Sequence, residues 1–229
     1  LLSQGSRIFS HHIGKDSKKY LREVKGQEIA MHDPRVKTSL ALQNAFSDYG
    51  ADHMKAPHDS LFASKESPGL KEMNGLGILK PVAATDLSYR KVALYKILDI
   101  YWTIFDILGI CYFGYVPRSL GTMDELLAII RSTTGWNTTW YELMKLGERT
   151  INMARIFNIR EGFTRDDDTV PEIFFTDFKE GPLKGSGALK REDFEEAKKL
   201  RYELMGWDKE GKPGRGKLIE LDLEWLIED

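Results

Sequence analysis

Cysteine is nearly missing: Cys111 is the only one in 229 residues. A lone thiol excludes a disulfide framework and a cysteine-built zinc site within this chain. An excess of charge of either sign is missing too. Lysine and arginine number 33 against 35 acidic residues, a formal net charge of −2. That balance argues against a nucleic-acid or anionic-membrane binder. Internal repeats and low-complexity tracts are absent, which sets aside solenoids and disordered tails. The chain opens Leu1-Leu2-Ser3 without an initiating Met, and no basic segment leads into a short apolar run. The expectation is a piece of something longer, with no signal peptide, in the cytoplasm.

What is present suits a soluble globular protein: 41% hydrophobic and 30% charged residues. A chain of this size buries roughly 70% of its unfolded surface on folding, enough for a real core. The length fits one large domain or two smaller ones.

The pattern along the chain is helical. Residues 36–48 follow Asp33-Pro34, carry Leu40, Leu42, Ala45 and Phe46, and stop at Gly50. Residues 56–88 are punctuated by Pro57, Pro68, Gly69, Gly75, Gly77 and Pro81, and read as a long surface loop. The most apolar stretch, 90–113, is interrupted by Lys91, Lys96, Asp99 and Asp106. Charges at mid-bilayer cost a few kcal/mol even on lenient scales, so a buried core helix ending near Gly109 is the better reading. Thr122 with Glu125 and Thr139 with Glu142 are capping boxes that open two further helices. The second should run to about Asn158, with Leu143, Leu146, Ile151, Ala154 and Phe157 on its buried face and Gly162 closing it. Residues 190–205 form an amphipathic helix with Gly206 as its stop, and a short helix or turn covers 218–226. Only 24–30 is weakly strand-like. The fold class is therefore all-α and multihelical. We expect two small helical subdomains, 1–88 with its irregular loop at 56–88, and 89–229.

Three segments can carry chemistry. In Asp106-Ile107-Leu108-Gly109-Ile110-Cys111, a carboxylate sits at the helix end where the dipole disfavours it. Buried without strong donors it would be costly. Gly109 permits a left-handed turn that puts the Ile110 N–H and the Cys111 sulfur just beyond the helix. The plain alternative is a capping aspartate and an inert buried cysteine. In Asp48 to Lys55, His53 and Lys55 stand two apart in a segment that reads as extended, so they could face one side. Histidine can shuttle protons and lysine can bind anions; a solvated polar loop is the alternative. His11, His12 and His32 lack metal-ligand spacing and read as surface residues. Finally, Arg165-Asp166-Asp167-Asp168 lacks the alternating ligands, central Gly and terminal Glu of a calcium loop. Ion pairs that fix a loop are the simpler account.

Taken in order, these segments resemble one family, the tungsten-containing aldehyde:ferredoxin oxidoreductases. The agreement runs through Val24–Ile29, Asp33-Pro34-Arg35, Gly50–Lys55, Asp106–Cys111, Thr134-Gly135-Trp136, Gly147-Glu148-Arg149, Arg155–Asp168, Gly181-Pro182 and Gly206-Trp207-Asp208. It covers nearly the whole chain and is similar to the helical C-terminal portion of the family. The resemblance implies that Asp106 binds a ring amine of a tungstopterin, with the Ile110 backbone adding a contact. It implies that Cys111 is the fourth thiolate of a [4Fe–4S] cluster, that His53 is the active-site proton donor or acceptor, and that Lys55 is a pterin-contacting base. The metal would be tungsten on two pterins, with molybdenum as the alternative.

The departures are as informative. A four-cysteine cluster needs four thiolates, and this chain has one. The family's Cys-x2-Cys-x3-Cys triplet, first pterin motif, catalytic glutamate and N-terminal cradle are not in this sequence. The resemblance therefore implies the C-terminal part of an enzyme oxidising a small aldehyde to a carboxylic acid, with ferredoxin as acceptor. Its partner would be the missing N-terminal pterin-binding region, without which this chain holds no cofactor and is inactive. Neither nucleic acid nor membrane is expected as a partner, and a homo-oligomer stays open. Two other readings stand beside it: a low-potential reductase of an aromatic acyl-CoA thioester within the same superfamily, and a cofactor-free helical scaffold.

Overall fold

A computed structural model describes residues 2–115 and 121–227. In chain order its elements begin with α1 (Ser6–Ile13), the strands β1 (Glu23–Val24) and β2 (Gln27–Glu28), α2 (Ser39–Phe46) and α3 (Pro68–Glu72). They continue with α4 (Tyr89–Leu108), α5 (Met123–Thr134), α6 (Trp140–Arg160), α7 (Arg191–Met205) and α8 (Arg215–Glu220). Helical segments account for 53% of the described residues, so the all-α reading holds.

The apolar run forms α4, the hub on which α6, α7 and α2 pack. It starts at Ser88, whose hydroxyl accepts from the Arg90 N–H, and stops at Gly109, φ +64°. Both capping boxes form, with Thr122 and Thr139 each accepting from the N–H three residues on while the paired glutamate returns to the cap backbone. The weak strand signal is a two-stranded hairpin instead, turned by Lys25 and Gly26 at positive φ.

Two expectations are corrected here. Residues 56–88 are irregular but not a surface loop: Phe62 and Met73 are fully buried against Leu98, Trp102 and Phe105 of α4. A second apolar cluster joins Leu42 and Ala56 to Val92 and Tyr95. Both clusters draw residues from each side of position 88. Phe157, placed on the buried face of α6, is 62% exposed. That helix instead turns Gly147, Glu148, Asn152 and Arg155 inward beside Leu143 and Ile156. Asn152 and Glu148 find partners there: the Trp207 indole donates to Asn152 Oδ1 at 2.8 Å and Lys217 pairs with Glu148 at 3.0 Å.

Buried charges staple the helices. Asp99 on α4 pairs with the fully buried Arg201 on α7. Burial raises the Asp99 pKa, opposed by Arg201 and then Lys55. Asp168 receives Arg155 at 2.9 Å, the Tyr202 hydroxyl at 2.6 Å and Lys25 at 3.2 Å. One carboxylate thus ties the hairpin, α6 and α7 together, which is the structural role expected of that segment.

Candidate functional site

The site is built where α4 ends. Its last turn closes as a Schellman-type cap: the Ile110 N–H donates to the Phe105 carbonyl at 2.9 Å and the Gly109 N–H to Asp106 at 3.3 Å. The chain leaves the helix at that point, and Cys111 is an exposed free thiol rather than a core residue. Because the Ile110 N–H is used inside the cap, its carbonyl is the group available for a backbone contact.

Asp106 does not face solvent unsupported. The Tyr112 hydroxyl donates to it, and Lys55 Nζ lies 3.7 Å from Oδ2. Tyr112 is fixed in turn by stacking on Trp102, with ring centroids 5.0 Å apart and planes 2° from parallel. Burial first, and then the bond to Asp106, raises the Tyr112 pKa, so it remains a protonated donor. The Asp106 side chain keeps 43% exposure, leaving a carboxylate face accessible.

Lys55 links the two sequence motifs. Its side chain is only 8% exposed, and Nζ lies 3.0 Å from Asp48 as well as near Asp106. Burial works against its charge, but the carboxylates of Asp48, Asp99 and Asp106 outweigh that and raise its pKa. Behind it a cavity of about 20 Å³ is lined by Asp48, Asp99, Thr103, Arg155 and Asn158, room for one water molecule.

The segment holding His53 and Lys55 is a turn, not an extended strand. Asp52 Oδ1 accepts the Met54 N–H at 2.8 Å, and the Asp52 carbonyl accepts the Lys55 N–H at 3.3 Å. Lys55 therefore turns inward while His53 stays 39% exposed, its Nδ1 3.8 Å from Asp52. His11 and His12 are exposed, as expected. His32 is not a plain surface residue: its ring centroid lies 5.0 Å from that of His53 and 4.7 Å from that of His58. Sequence reasoning missed His58, which is buried. Its only local signal is a position five residues after His53 in a Pro-punctuated stretch.

The residues share a constellation, but they form no complete metal centre. Among the described residues, no three His, Cys, Asp or Glu side chains are placed to hold a metal ion. One exposed thiol fits one corner of a thiolate-bound cluster, and a supported, half-open carboxylate fits an amine donor. With one cysteine in the sequence, these donors fit one corner of such a cluster and no more.

A family model described as aldehyde ferredoxin oxidoreductase, domains 2 and 3, matches residues 1–223. The chain belongs to this family. It is similar to the tungsten-containing aldehyde ferredoxin oxidoreductase of Pyrococcus horikoshii, 29% identical over 90% of this chain and 31% of that protein. The Thermococcus kodakarensis counterpart is 28% identical over 97% of this chain and 34% of its own length. The chain thus spans about a third of the curated relatives it matches. Among solved structures, the active-site complex BamBC of benzoyl coenzyme A reductase, in complex with 1,5 dienoyl-CoA, superimposes with a TM-score of 0.64. It covers 95% of this chain and 35% of that one at 17% identity, a likeness of fold. Among the described residues, no helix of this aldehyde ferredoxin oxidoreductase family member is long and apolar enough to cross a membrane.

Proposed function

We propose that this chain is the C-terminal helical part of a cytoplasmic, tungsten-dependent oxidoreductase that converts an aldehyde and water to a carboxylic acid and passes the electrons to ferredoxin. The observation that carries the reading is the family match over residues 1–223 together with an exposed thiol at Cys111, just past the supported carboxylate of Asp106. Oxidation of an aldehyde with water releases two electrons and two protons, so the site must both conduct electrons and move protons. When bound, a tungstopterin with its adjacent [4Fe–4S] cluster supplies the two-electron chemistry and its outlet.

This chain's residues do the rest. Asp106 accepts from a pterin ring amine, oriented by Tyr112 and Lys55, and the Ile110 carbonyl adds a backbone contact. Lys55 stands at that rim as the pterin-contacting ammonium and partly offsets the charge of Asp48 and Asp106. Cys111 contributes one thiolate, and the other three belong to the region N-terminal to this part of the family. His53 exchanges a proton at Nε2 with the reacting oxygen, its Nδ1 being turned toward Asp52.

The test joins the chain to a region carrying the Cys-x2-Cys-x3-Cys triplet and first pterin motif, and measures acceptor reduction by aldehydes. His53→Ala and Cys111→Ala are expected to abolish activity, and full activity in both rejects the assigned roles. Turnover of aromatic acyl-CoA thioesters in place of aldehydes would move the reading to the low-potential reductase. Absence of W, Mo and Fe from the assembled protein would leave a scaffold.

A further inference from the structure

Three imidazoles from two stretches of chain meet beside the α4 site, and only one of them has a role so far. His32 stands edge-on to His58 at 4.7 Å, with planes 82° apart, and tilted against His53 at 5.0 Å. The centroids of His53 and His58 are 6.1 Å apart. His58 is buried and has a partner at each ring nitrogen: Lys37 Nζ is 3.3 Å from Nδ1, and the His53 carbonyl oxygen is 3.0 Å from Nε2.

These two partners leave one protonation state. A carbonyl oxygen only accepts, so Nε2 must carry the hydrogen. An ammonium only donates, so Nδ1 must present its lone pair. A δ-protonated or cationic ring would point an N–H at the Lys37 ammonium.

We propose that His58 is a positioning residue for His53: a neutral, Nε2-protonated strut that holds the His53 carbonyl while His32 packs against both rings. The described charged and titratable groups facing it include Lys37, His32 and His53, with Asp52 beside His53. The neighbouring Asp59 carboxylate is engaged by Lys91 and Ser39. Fixing a loop residue through its backbone and one ring face restricts where its imidazole can exchange a proton, and small misplacements of such a group cost up to about 10²-fold in rate. The functional meaning of the strut rests on the proton role of His53, whereas its existence does not.

The experiment therefore reads the strut on the chain itself, by ¹⁵N imidazole spectra at neutral pH. Expected are a His58 Nδ1 resonance in the unprotonated range, an Nε2 resonance in the protonated range, and His53 signals that shift in His58→Leu. His58→Gln, whose amide can both donate to the carbonyl and accept from Lys37, should restore the His53 signals. A δ tautomer or a cationic His58, or His53 signals unmoved in folded His58→Leu, would overturn the inference. If His58→Leu fails to fold, the wild-type tautomer still decides it, together with His53 shifts in His32→Phe. In the assembled enzyme, His58→Leu should lower kcat roughly 10–100-fold with little change in KM, and His58→Gln should recover most of it. Correct spectra with full activity in both His58→Leu and His53→Ala would leave the strut standing and sink the proton role of His53.

Discussion

Gly147 sits where α6 crosses α4, and replacing it with alanine tests whether that crossing is as close as the structure has it. A Cβ built at this position would lie 2.4 Å from the Ile100 carbonyl oxygen, and 3.2 Å from Ile100 Cγ2. Real Cβ contacts essentially never fall below 3.0 Å. The obstructing atom is helix backbone, which cannot swing aside as a side-chain tip can, so the two helices must part by more than half an ångström. Overpacking of this kind costs about 1–3 kcal/mol, and a gap of 0.5–1 Å alone forfeits roughly a quarter to a half of each lost contact. Alanine's better helix propensity returns about 1 kcal/mol. The net expectation is a loss of up to about 2 kcal/mol, which lowers Tm by up to roughly 8 °C for a chain of this size, and leaves the variant about 1–3 kcal/mol short of an unobstructed Gly→Ala change. Gly216 is the control. It lies in α8, with nothing within 4 Å of an added Cβ. Gly216→Ala should therefore stabilise by about 0.5–1 kcal/mol. Thermal and guanidinium unfolding followed by circular dichroism measure both. A Gly147→Ala protein stabilised as much as Gly216→Ala would refute the close crossing. With it would go the claim that α4, which carries Asp106 to the site, is fixed from that side.

Other consequences are as direct. Asp168→Ala strands Arg155 and Lys25 without their shared carboxylate in a buried setting, and should cost about 3–5 kcal/mol in denaturant unfolding; a loss under 1 kcal/mol would show that the pairs are not buried as described. Lys145 and Lys217 hold the Glu220 carboxyl at a pKa of about 2. Since that lies below the unfolded value, its contribution is full above pH 4.5 and disappears as the pH falls through 2. Glu220→Gln should thus lose only a few tenths to about 1 kcal/mol at pH 7, given its exposure, and nothing near pH 2; a penalty that persists in acid would contradict the assignment. Tyr112→Phe keeps the stack on Trp102 but removes the donor to Asp106. It should cost about 0.5–1.5 kcal/mol of stability and lower the tungsten content of the assembled enzyme, which elemental analysis reads.

The chain's own sequence determined what short-range hydrogen bonding decides. The boxes at Thr122 and Thr139, and the stops at Gly109 and Gly206, were legible because capping and left-handed glycine turns involve neighbours within a few residues. Family membership was legible for a related reason: an ordered set of short motifs survives in the linear string. The position of Cys111 beyond the end of α4 followed from the same local signals, but its exposure did not, since a lone cysteine is commonly an inert buried residue.

Tertiary structure decided everything that depends on partners far along the chain. Apolar periodicity put Phe157 inside α6, yet the inner face belongs to Asn152 and Arg155, because Trp207, Gly211 and Asp168 supply their hydrogen bonds. Glycine and proline marked 56–88 as irregular, but only the packed fold shows Phe62 and Met73 sealing the hub helix. Spacing suggested that His53 and Lys55 face one side; the Asp52 turn and the pull of Asp48 and Asp106 draw the lysine inward instead. His32, 21 residues before His53 in sequence, becomes its ring neighbour. A buried charge or a ring contact is stable only where a complementary group arrives from elsewhere, and that arrival is a property of the folded chain, not of any window of it.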